Sequence, residues 1–340
     1  MRTFYRQLNV TGQFAVECGQ LWFVGVECVP IADAHVDVLW RMLRSGARFY
    51  GESQLQASYD KLHKSGVGTQ VFALFVDPAD PDTRQLEDVL VSIDKFYRQV
   101  VSPGLVHAVR SVDELLAARS EGVIAGLLSI EGGGCLRGKP ELLRVMFDLG
   151  VRGMGLTWNL PNALSDGCME PRGSGLTGAG REVVEEMGRL SMWVDLAHLS
   201  DRGVEDVFSL TNGAVMASHA NARQVHNHPR NLSDAVIVEL IRRQGWMGMV
   251  FESSFVDRGD NVPYTQLFRH MDHVLELGGE DILGLGSDFD GTTTPVSGLA
   301  DAGDYAAFAA AVKERYGANL ADKILFQNFE DFLLRSLPQS

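Results

Sequence analysis

Residues 123–156, VIAGLLSIEGGGCLRGKPELLRVMFDLGVRGMGL, contain one complete unit of the pattern that decides the fold. The apolar run Val123–Ile130 predicts a buried strand, Leu142–Leu149 has apolar residues at helical spacing, and Val151–Leu156 predicts a second strand. Gly150 stands directly after the predicted helix, at a position where a helix end favours glycine. The stretch therefore predicts a strand–helix–strand unit, the connection that joins parallel strands.

The same alternation of strands and helices runs through the rest of the chain. The predicted strands are Ile31–Val36, Thr69–Phe75, Val123–Ile130, Val151–Leu156, Met192–Leu196, Ala214–Ala217, Trp246–Val250 and Ile282–Leu285. The predicted helices are Gln85–Gln99, Ser111–Arg119, Leu142–Leu149, Arg181–Leu190, Asp201–Leu210, Ser233–Gln244 and Leu267–Leu277. Eight strands that alternate with helices predict an α/β protein with a (β/α)8, TIM-type barrel. A doubly wound sheet is the alternative, but it usually has fewer strands, and no GxGxxG motif follows the first strand.

Length and composition fit one barrel with a short extension. The chain has 340 residues and is 45% hydrophobic, which suffices for a large core. We expect residues 31–340 to form the barrel and residues 1–30 to form a small β-hairpin packed on it, because Phe14–Glu17 and Leu21–Val24 have the composition of short strands.

The net charge and the lack of targeting signals limit which partners and which cellular compartment we expect. The net charge of −14 argues against nucleic acid or an anionic membrane as a partner. The first residues lack the apolar region of a signal peptide, and no run of 18 apolar residues occurs. The four cysteines form no CxxC pair and no disulfide framework. We therefore expect a cytoplasmic protein with free thiols.

Histidine and carboxylate residues follow five of the eight predicted strands. These residues are His35, Asp37, Glu131, His198, His219 and Asp288. In a (β/α)8 barrel, the carboxyl ends of the strands form one rim, and the chemistry takes place there. His35 and Asp37 are two residues apart, so both side chains face the same way on a strand. The sequence therefore predicts that these side chains meet at the barrel mouth.

This set of imidazoles and carboxylates predicts a site for two metal ions. His35, Asp37 and Glu131 would hold one ion. Glu131, His198 and His219 would hold the other, because a carboxylate has two oxygens and can bridge two cations. Three protein ligands per ion leave positions open for a bridging water, as in catalytic sites. Mixed nitrogen and oxygen ligands favour Zn²⁺, with Mn²⁺ or Co²⁺ as substitutes.

Two further charged residues are candidates for contact with the substrate or the reacting water. Asp288 follows the last strand with no histidine beside it, so it is either a metal ligand or a base that passes a proton to the leaving amine. Arg230 lies in the loop after the sixth strand, where it would either bind a substrate carboxylate or form a surface salt bridge.

Short motifs spread along the chain make it similar to the membrane (renal) dipeptidase family of zinc metallopeptidases, peptidase family M19, among the amidohydrolase-type barrels. The motifs are Asp33–Asp37, Ile130–Gly133, Gly150–Thr157, Val194–His198, Ala217–His219, His228–Asp234 and Gly286–Gly291. The resemblance implies two zinc ions bridged by Glu131, an Arg230 that binds the terminal carboxylate of a dipeptide, and an Asp288 that manages the proton of the bridging water. The resemblance also implies a dipeptide substrate, often with a D-residue at the C-terminal position. A homodimer is compatible with the resemblance.

One position departs from the family pattern and keeps other functions open. Where the family has Leu-Thr-His-Asn, this chain has Leu156-Thr157-Trp158-Asn159. The resemblance places Trp158 and Asn159 in the substrate site, but an indole N–H only donates a hydrogen bond. The leading hypothesis is a zinc-dependent dipeptidase in which a metal-bridging hydroxide attacks the scissile carbonyl. The alternatives are a metal-dependent hydrolase of a lactone, cyclic amide or phosphoester, and an inactive metal-binding relative.

Overall fold

The computed structural model describes residues 30–51, 53–259 and 261–340. The predicted hairpin, Phe14–Glu17 with Leu21–Val24, lies outside the described residues. Of the four cysteines, Cys135 and Cys168 lie within them, and both are free thiols as expected. Among the helices of the described part of the chain, none is both long enough and apolar enough to cross a membrane.

The strands form a closed parallel barrel, which confirms the predicted fold class. The strands are β1 (Ile31–Val36), β2 (Val67–Phe75), β3 (Val106–Ala108), β4 (Ile124–Glu131), β5 (Val151–Gly155), β6 (Trp193–Asp195), β7 (Val215–Ala217), β8 (Trp246–Met249) and β9 (Leu283–Leu285). Around the ring the order is β1, β2, β4, β5, β6, β7, β8 and β9, and pairing of β9 with β1 closes it.

The short strand β3 is an addition to the predicted set. It pairs with Ile124–Gly126 at the start of β4, whereas β5 pairs with the later residues Leu128–Glu131. His107 interrupts the apolar residues of β3, so this segment lacks the apolar run by which the equally short β6, β7 and β9 are predicted. The eight strands of the ring are the predicted ones, with their ends shifted by one or two residues.

Thirteen α-helices occur among the described residues, and each of the seven predicted helices corresponds to one of them, although the last residues of the predicted Gln85–Gln99 lie in a π-helical segment, Phe96–Val101. They are α1 (Val38–Ser45), α2 (Tyr59–Lys64), α3 (Asp82–Lys95), α4 (Val112–Glu121), α5 (Pro140–Asp148), α6 (Gly178–Arg189), α7 (Asp201–Leu210), α8 (Asp234–Arg242), α9 (Ser253–Val256), α10 (Leu267–Glu276), α11 (Tyr305–Tyr316), α12 (Ala318–Asp322) and α13 (Asn328–Ser336). Helix α6 begins earlier than the predicted Arg181, because the Thr177 hydroxyl accepts a hydrogen bond from the Gly180 N–H, 3.0 Å, and caps the helix.

Two tryptophans connect the barrel to the C-terminal helix. Trp193 and Trp246 are buried, and the Trp246 ring lies 4.6 Å from the ring of Phe329 in α13. A Cβ at Gly153 would lie 1.8 Å from the indole nitrogen of Trp193, and one at Gly284 would lie 2.3 Å from the Trp246 ring. Glycine is required at these strand positions because the indole rings occupy the space that a side chain would need.

Candidate metal centre

The carboxylate of Glu131 lies at the centre of a buried cluster on the carboxyl rim of the barrel. Its Oε2 is 3.4 Å from His35 Nε2, whereas its Oε1 is 2.8 Å from His198 Nε2 and 3.5 Å from His219 Nε2. Asp37 Oδ2 approaches the same His35 nitrogen at 3.6 Å. Residues from the ends of β1, β4, β6 and β7 thus converge, since parallel strands end on one rim.

These residues form two overlapping groups that could each hold a metal ion. In the groups His35–Asp37–Glu131 and Glu131–His198–His219, the potential ligand atoms all lie within 4.8 Å of one another. The structure therefore brings together the two sets of three that the sequence predicts, with Glu131 shared between them.

A third group includes Asp195, which the sequence reasoning did not select as a ligand. It joins Asp195 to His35 and His219. Asp195 is the last residue of β6, and its Oδ1 accepts hydrogen bonds from the backbone N–H groups of Ala197, 3.1 Å, and Ser218, 2.9 Å. Its place at a strand end was a usable signal. Its observed bonds connect the loop after β6 to the loop after β7.

Burial and charge set the protonation of the cluster. Burial lowers the pKa of His198 to about 3 and the pKa of His219 well below its usual value, so both imidazoles are neutral. Burial also opposes the charge on His35, but the carboxylates of Glu131 and Asp37 outweigh it and raise the pKa of His35 well above 6.5. Burial likewise acts to raise the pKa of Glu131, but the histidines lower it well below its usual value.

The donor set fits a pair of divalent cations. His35 Nε2 and Asp37 Oδ1 are buried and make no hydrogen bond to any described residue. The Nε2 atoms of His198 and His219 lie only 2.9 Å apart, and two imidazole lone pairs at that distance need a proton or a cation between them. Neutral imidazoles combined with carboxylates are the ligands that Zn²⁺ prefers.

Hydrogen bonds from outside the cluster orient two of the imidazoles. The Nδ1–H of His198 donates to Asn159 Oδ1 at 2.8 Å, and Ser218 Oγ lies 2.7 Å from Nδ1 of His219. Such bonds direct the Nε2 lone pair of each ring into the cluster. Asn159, which the family pattern suggests for the substrate site, therefore has its side-chain oxygen on a candidate ligand.

The backbone is unusual at two of the candidate residues. His198 and Asp288 have φ angles of 66° and 65°, in the left-handed region that few non-glycine residues adopt. Gly291 lies beside Asp288, and a Cβ there would lie 2.0 Å from Asp37 Oδ2 and 2.5 Å from Asp288 Oδ1. Local strain and a required glycine both occur where the carboxylates crowd together, as is common at functional sites.

Asp288 lies at the edge of the cluster. Its Oδ1 is 3.8 Å from His35 Nε2, and its side chain is 16% exposed, more than Asp37 or Glu131. Burial and the neighbouring Asp37 raise the pKa of Asp288 well above its usual value. A carboxyl group with a raised pKa can accept a proton at neutral pH and release it again.

Arg230 is buried at the same rim, on the side of β7. Its Nη2 donates to the carbonyl oxygen of His219 at 3.0 Å, and its guanidinium lies 5.3 Å from the centre of the Phe255 ring. The Nε atom of Arg230 has no hydrogen-bond partner. In the described part of the chain, no carboxylate oxygen lies within 4 Å of the Arg230 guanidinium. The alternative of a surface salt bridge is therefore wrong, because Arg230 is only 2% exposed.

Trp158 is half-buried and forms a wall beside the cluster. Its ring lies 5.9 Å from the ring of His198 and meets Phe75 edge-on at 5.7 Å. The structure thus places Trp158 next to a candidate metal ligand, and the described contacts of its ring are aromatic ones.

Comparison with known proteins identifies relatives over nearly the whole barrel. The sequence matches the family model described as membrane dipeptidase (peptidase family M19) over residues 26–334. An uncharacterised dipeptidase, C965.12, of Schizosaccharomyces pombe is 31% identical over 291 residues, which cover 80% of this chain and 70% of that protein. An uncharacterised protein from the pqqA 5′ region of Klebsiella pneumoniae is 29% identical over 242 residues, 67% of this chain and 88% of that protein.

Two solved structures share the fold at similar identity. The dipeptidase AC, a metallopeptidase of family M19, has a TM-score of 0.85 and 27% identity, with 92% of this chain and 100% of that chain covered. A metallopeptidase from Rhodobacter sphaeroides, solved with a phosphinate mimic of the dipeptide L-Ala-D-Ala, has a TM-score of 0.85 and 26% identity, with 91% and 100% covered.

Proposed function

Because the chain belongs to the membrane dipeptidase family, peptidase family M19, we propose that it is a zinc-dependent dipeptidase with two metal ions at the barrel mouth. The observation that carries this proposal is the position of the Glu131 carboxylate. One of its oxygens faces His35, and the other faces His198 and His219. A carboxylate so placed has the geometry of a bridge between two cations.

The proposed ligands follow from the two groups that share Glu131. His35, Asp37 and Glu131 would hold one ion, and Glu131, His198 and His219 would hold the other. When bound, the ions would polarise the scissile carbonyl and lower the pKa of an attacking water towards neutrality.

Asp288 and Arg230 are assigned the remaining steps. Asp288 takes the proton of the attacking water and delivers it to the leaving amine, a role that its raised pKa supports. Arg230 binds the C-terminal carboxylate of the dipeptide with the donors that the fold leaves free. Dipeptides with a C-terminal D-residue are included among the substrates, since a relative at 26% identity was solved with a mimic of L-Ala-D-Ala.

The test is hydrolysis of a panel of L,L and L,D dipeptides by protein loaded with Zn²⁺. We expect release of free amino acids that stops after chelation. Glu131→Gln should lower kcat/KM by more than about 100-fold, because even changes to groups that orient metal ligands cost about 10–100-fold. Glu121→Gln, at the exposed end of α4, is the matched control and should retain the wild-type rate. Turnover that survives chelation or Glu131→Gln would contradict the proposal.

The position of Trp158 favours one second candidate, a metal-dependent hydrolase of a lactone, cyclic amide or phosphoester. Trp158 stands where the family pattern has a histidine. This difference does not alter the groups of residues that could hold the metal ions. The dependence on Arg230 distinguishes the two functions. Arg230→Met should raise KM strongly for a substrate with a free carboxylate and should have little effect on a substrate that lacks one. Metal binding with no hydrolysis of any of these compounds would identify an inactive relative.

A further inference from the structure

A cavity of about 230 Å³ opens at the barrel mouth beside Trp158. Its walls come from the loops that follow β2, β4 and β5, and they include Val76, Gly132, Leu160 and Arg137. Gly132 directly follows Glu131 in the chain, and Trp158, which also lines the cavity, has its ring 5.9 Å from the ring of His198. The cavity is therefore a neighbour of the candidate metal centre and large enough to take an amino-acid side chain.

The barrel places this cavity across the mouth from Arg230. In the order β1, β2, β4, β5, β6, β7, β8, β9, strand β2 is opposite β7, the strand that precedes Arg230. A dipeptide held at its C-terminal carboxylate by Arg230 would extend over Glu131 towards β2 and β4. Its N-terminal residue would then lie at the cavity.

One of the two charged residues that line the cavity is Arg137, a half-buried arginine with few partners. Arg137 Nη2 donates to the backbone carbonyl oxygen of Asp82 at 3.1 Å, and its Nε is buried without a hydrogen bond. Within the described ranges, no carboxylate oxygen comes within 4 Å of the Arg137 guanidinium. A guanidinium binds a carboxylate through two parallel hydrogen bonds, so an acidic group is the partner that it lacks.

Asp82 is the other charged residue that lines the cavity, and it has a different environment. It is exposed to solvent and lies in the first turn of α3, where the helix dipole stabilises a negative charge. Its charge is therefore screened by water, whereas the charge of Arg137 is partly removed from water. The remaining polar lining residues, Gln85 and Asn162, donate to backbone carbonyl oxygens of Asp80 and Leu156.

From this arrangement we infer that the cavity binds the side chain of the N-terminal residue of the substrate and that Arg137 selects an acidic side chain there. The inference rests on the proposed dipeptidase function, because it needs the dipeptide to be anchored at Arg230. Arg137 is on this view a specificity-determining residue, and substrates that begin with Glu or Asp are the preferred class.

The first test compares kcat/KM for Glu-Ala, Gln-Ala and Lys-Ala in the zinc-loaded protein. Glu and Gln differ in charge at nearly constant shape. We expect Glu-Ala to exceed Gln-Ala by about tenfold or more, the effect of one charged hydrogen-bonded contact. Arg137→Met should bring the ratio close to 1. Arg98→Met is the control, because Arg98 is an exposed arginine of the π-helical segment Phe96–Val101, and it should keep the wild-type ratio. A preference for Lys-Ala, or a ratio that Arg137→Met leaves unchanged, would overturn the inference.

The second test separates binding at the cavity from catalysis. Calorimetric titration of zinc-loaded Asp288→Asn with Glu-Ala and Gln-Ala measures affinity in a protein whose turnover is slowed. We expect the same preference for Glu-Ala and its loss when Arg137→Met is added. Binding with this preference but no hydrolysis by the wild type would refute the dipeptidase function and retain the subsite. Hydrolysis without the preference would refute the subsite alone, and the absence of both would refute both.

Discussion

The hydrogen bond between His198 and Asn159 is the contact that most directly determines how one candidate ligand is presented. Asn159 Oδ1 accepts from the Nδ1–H of His198 at 2.8 Å and also lies 3.5 Å from the Cys168 thiol. Because the proton is held on Nδ1, the Nε2 atom keeps its lone pair and faces Glu131 and His219. Asn159 thus acts on the metal centre through His198.

We expect Asn159→Leu to weaken zinc binding by about 10–100-fold, since the ring of His198 would lose the acceptor that fixes its tautomer and orientation. Asn159→Asp keeps an oxygen acceptor at the same place and should restore most of the affinity. Competition for zinc against a chromophoric chelator measures the effect without any turnover. Asn319→Leu, on an exposed turn of α12, serves as the control. Equal zinc affinity in Asn159→Leu and the wild type would show that the contact does not orient a ligand.

At this scale the sequence predicts which residue types meet, but not which atoms pair. His35, Glu131, His198 and His219 could be found because each stands at the end of a recognisable strand. Asn159 has no such signal, since its partner is 39 residues away and depends on how the loop after β5 folds back towards β6. Asp195 was visible as a strand-end carboxylate, but only the structure shows that it bonds to backbone N–H groups.

Between elements, Asp33 connects β1 to the last strand and to α11. Its carboxylate is fully buried and accepts hydrogen bonds from the Ser287 hydroxyl and the Tyr305 hydroxyl, both at 2.7 Å, and from the Ser287 N–H at 2.9 Å. Asp288 directly follows Ser287, so the same bonds fix the start of the loop that carries Asp288. The network therefore supports the site through the backbone around His35 and Asp288.

Tyr305→Phe should therefore destabilise the fold. The variant removes one donor and leaves a buried carboxylate oxygen without that partner, which costs about 1–3 kcal/mol of unfolding free energy. Urea unfolding followed by circular dichroism measures the loss. Tyr264→Phe is the matched control, because no hydrogen bond of its hydroxyl occurs within the described residues, and it should change stability by less than about 0.5 kcal/mol. A Tyr305→Phe protein as stable as wild type would refute the role of this bond.

His270 of α10 provides a pH-dependent link between elements. It is fully buried, its Nδ1 accepts from the Ala222 N–H at 3.1 Å, and its Nε2–H donates to the Val256 carbonyl oxygen at 2.8 Å. Burial lowers the pKa of His270 to about 4. Because the folded pKa is below the unfolded value of about 6.5, the unfolded chain binds the proton more readily between these values. Stability from this group is complete above pH 6.5 and is lost as the pH falls towards 4.

His270→Gln should remove part of that dependence, since glutamine can donate and accept but does not titrate. The variant should be less stable than wild type at pH 7, and the difference should shrink as the pH falls to 4. The limiting slope for one proton is about 1.4 kcal/mol per pH unit. Urea unfolding at a series of pH values gives the two curves, and Asn319→Leu should follow the wild-type curve. Parallel curves for His270→Gln and wild type would exclude this linkage.

At the scale of elements, helices with apolar periodicity and strands within an apolar run were predictable, even where a strand has only three residues. The eight strands of the ring and the helix Asp201–Leu210 follow from apolar periodicity and length. The strand β3 contains His107 and so lacks such a run, and its pairing with β4 depends on the position of another segment rather than on its own sequence. The start of α6 depends on the Thr177 cap, a local signal that precedes the apolar pattern of the helix.

Across the whole molecule, the candidate centre joins strands that are far apart in the chain. Glu131 from β4 contacts His35 from β1, 96 residues earlier in the chain, and His219, 88 residues later. This long-range meeting was predictable, because closure of a parallel barrel brings all strand ends to one rim. The cavity beside Trp158 was not, since its walls are loops after three different strands.

The same arrangement predicts that metal stabilises the entire barrel. Ligands that bind only the folded state add free energy as RT ln(1 + [L]/Kd), about 3 kcal/mol at a concentration 100 times the dissociation constant. The buried imidazoles and carboxylates around Glu131 exist as a set only when β1, β4, β6 and β7 are assembled.

Removal of zinc by a chelator should therefore lower the midpoint of urea unfolding, and restored zinc should reverse the change. The gain should be smaller at pH 5 than at pH 7.5, because protons compete with zinc for His35, the candidate ligand whose pKa the carboxylates of Glu131 and Asp37 raise. Glu131→Gln should lose most of the zinc dependence of the unfolding midpoint, whereas the control Glu121→Gln should retain it. If neither zinc nor chelator changes the unfolding midpoint of the wild type, the cluster holds no metal.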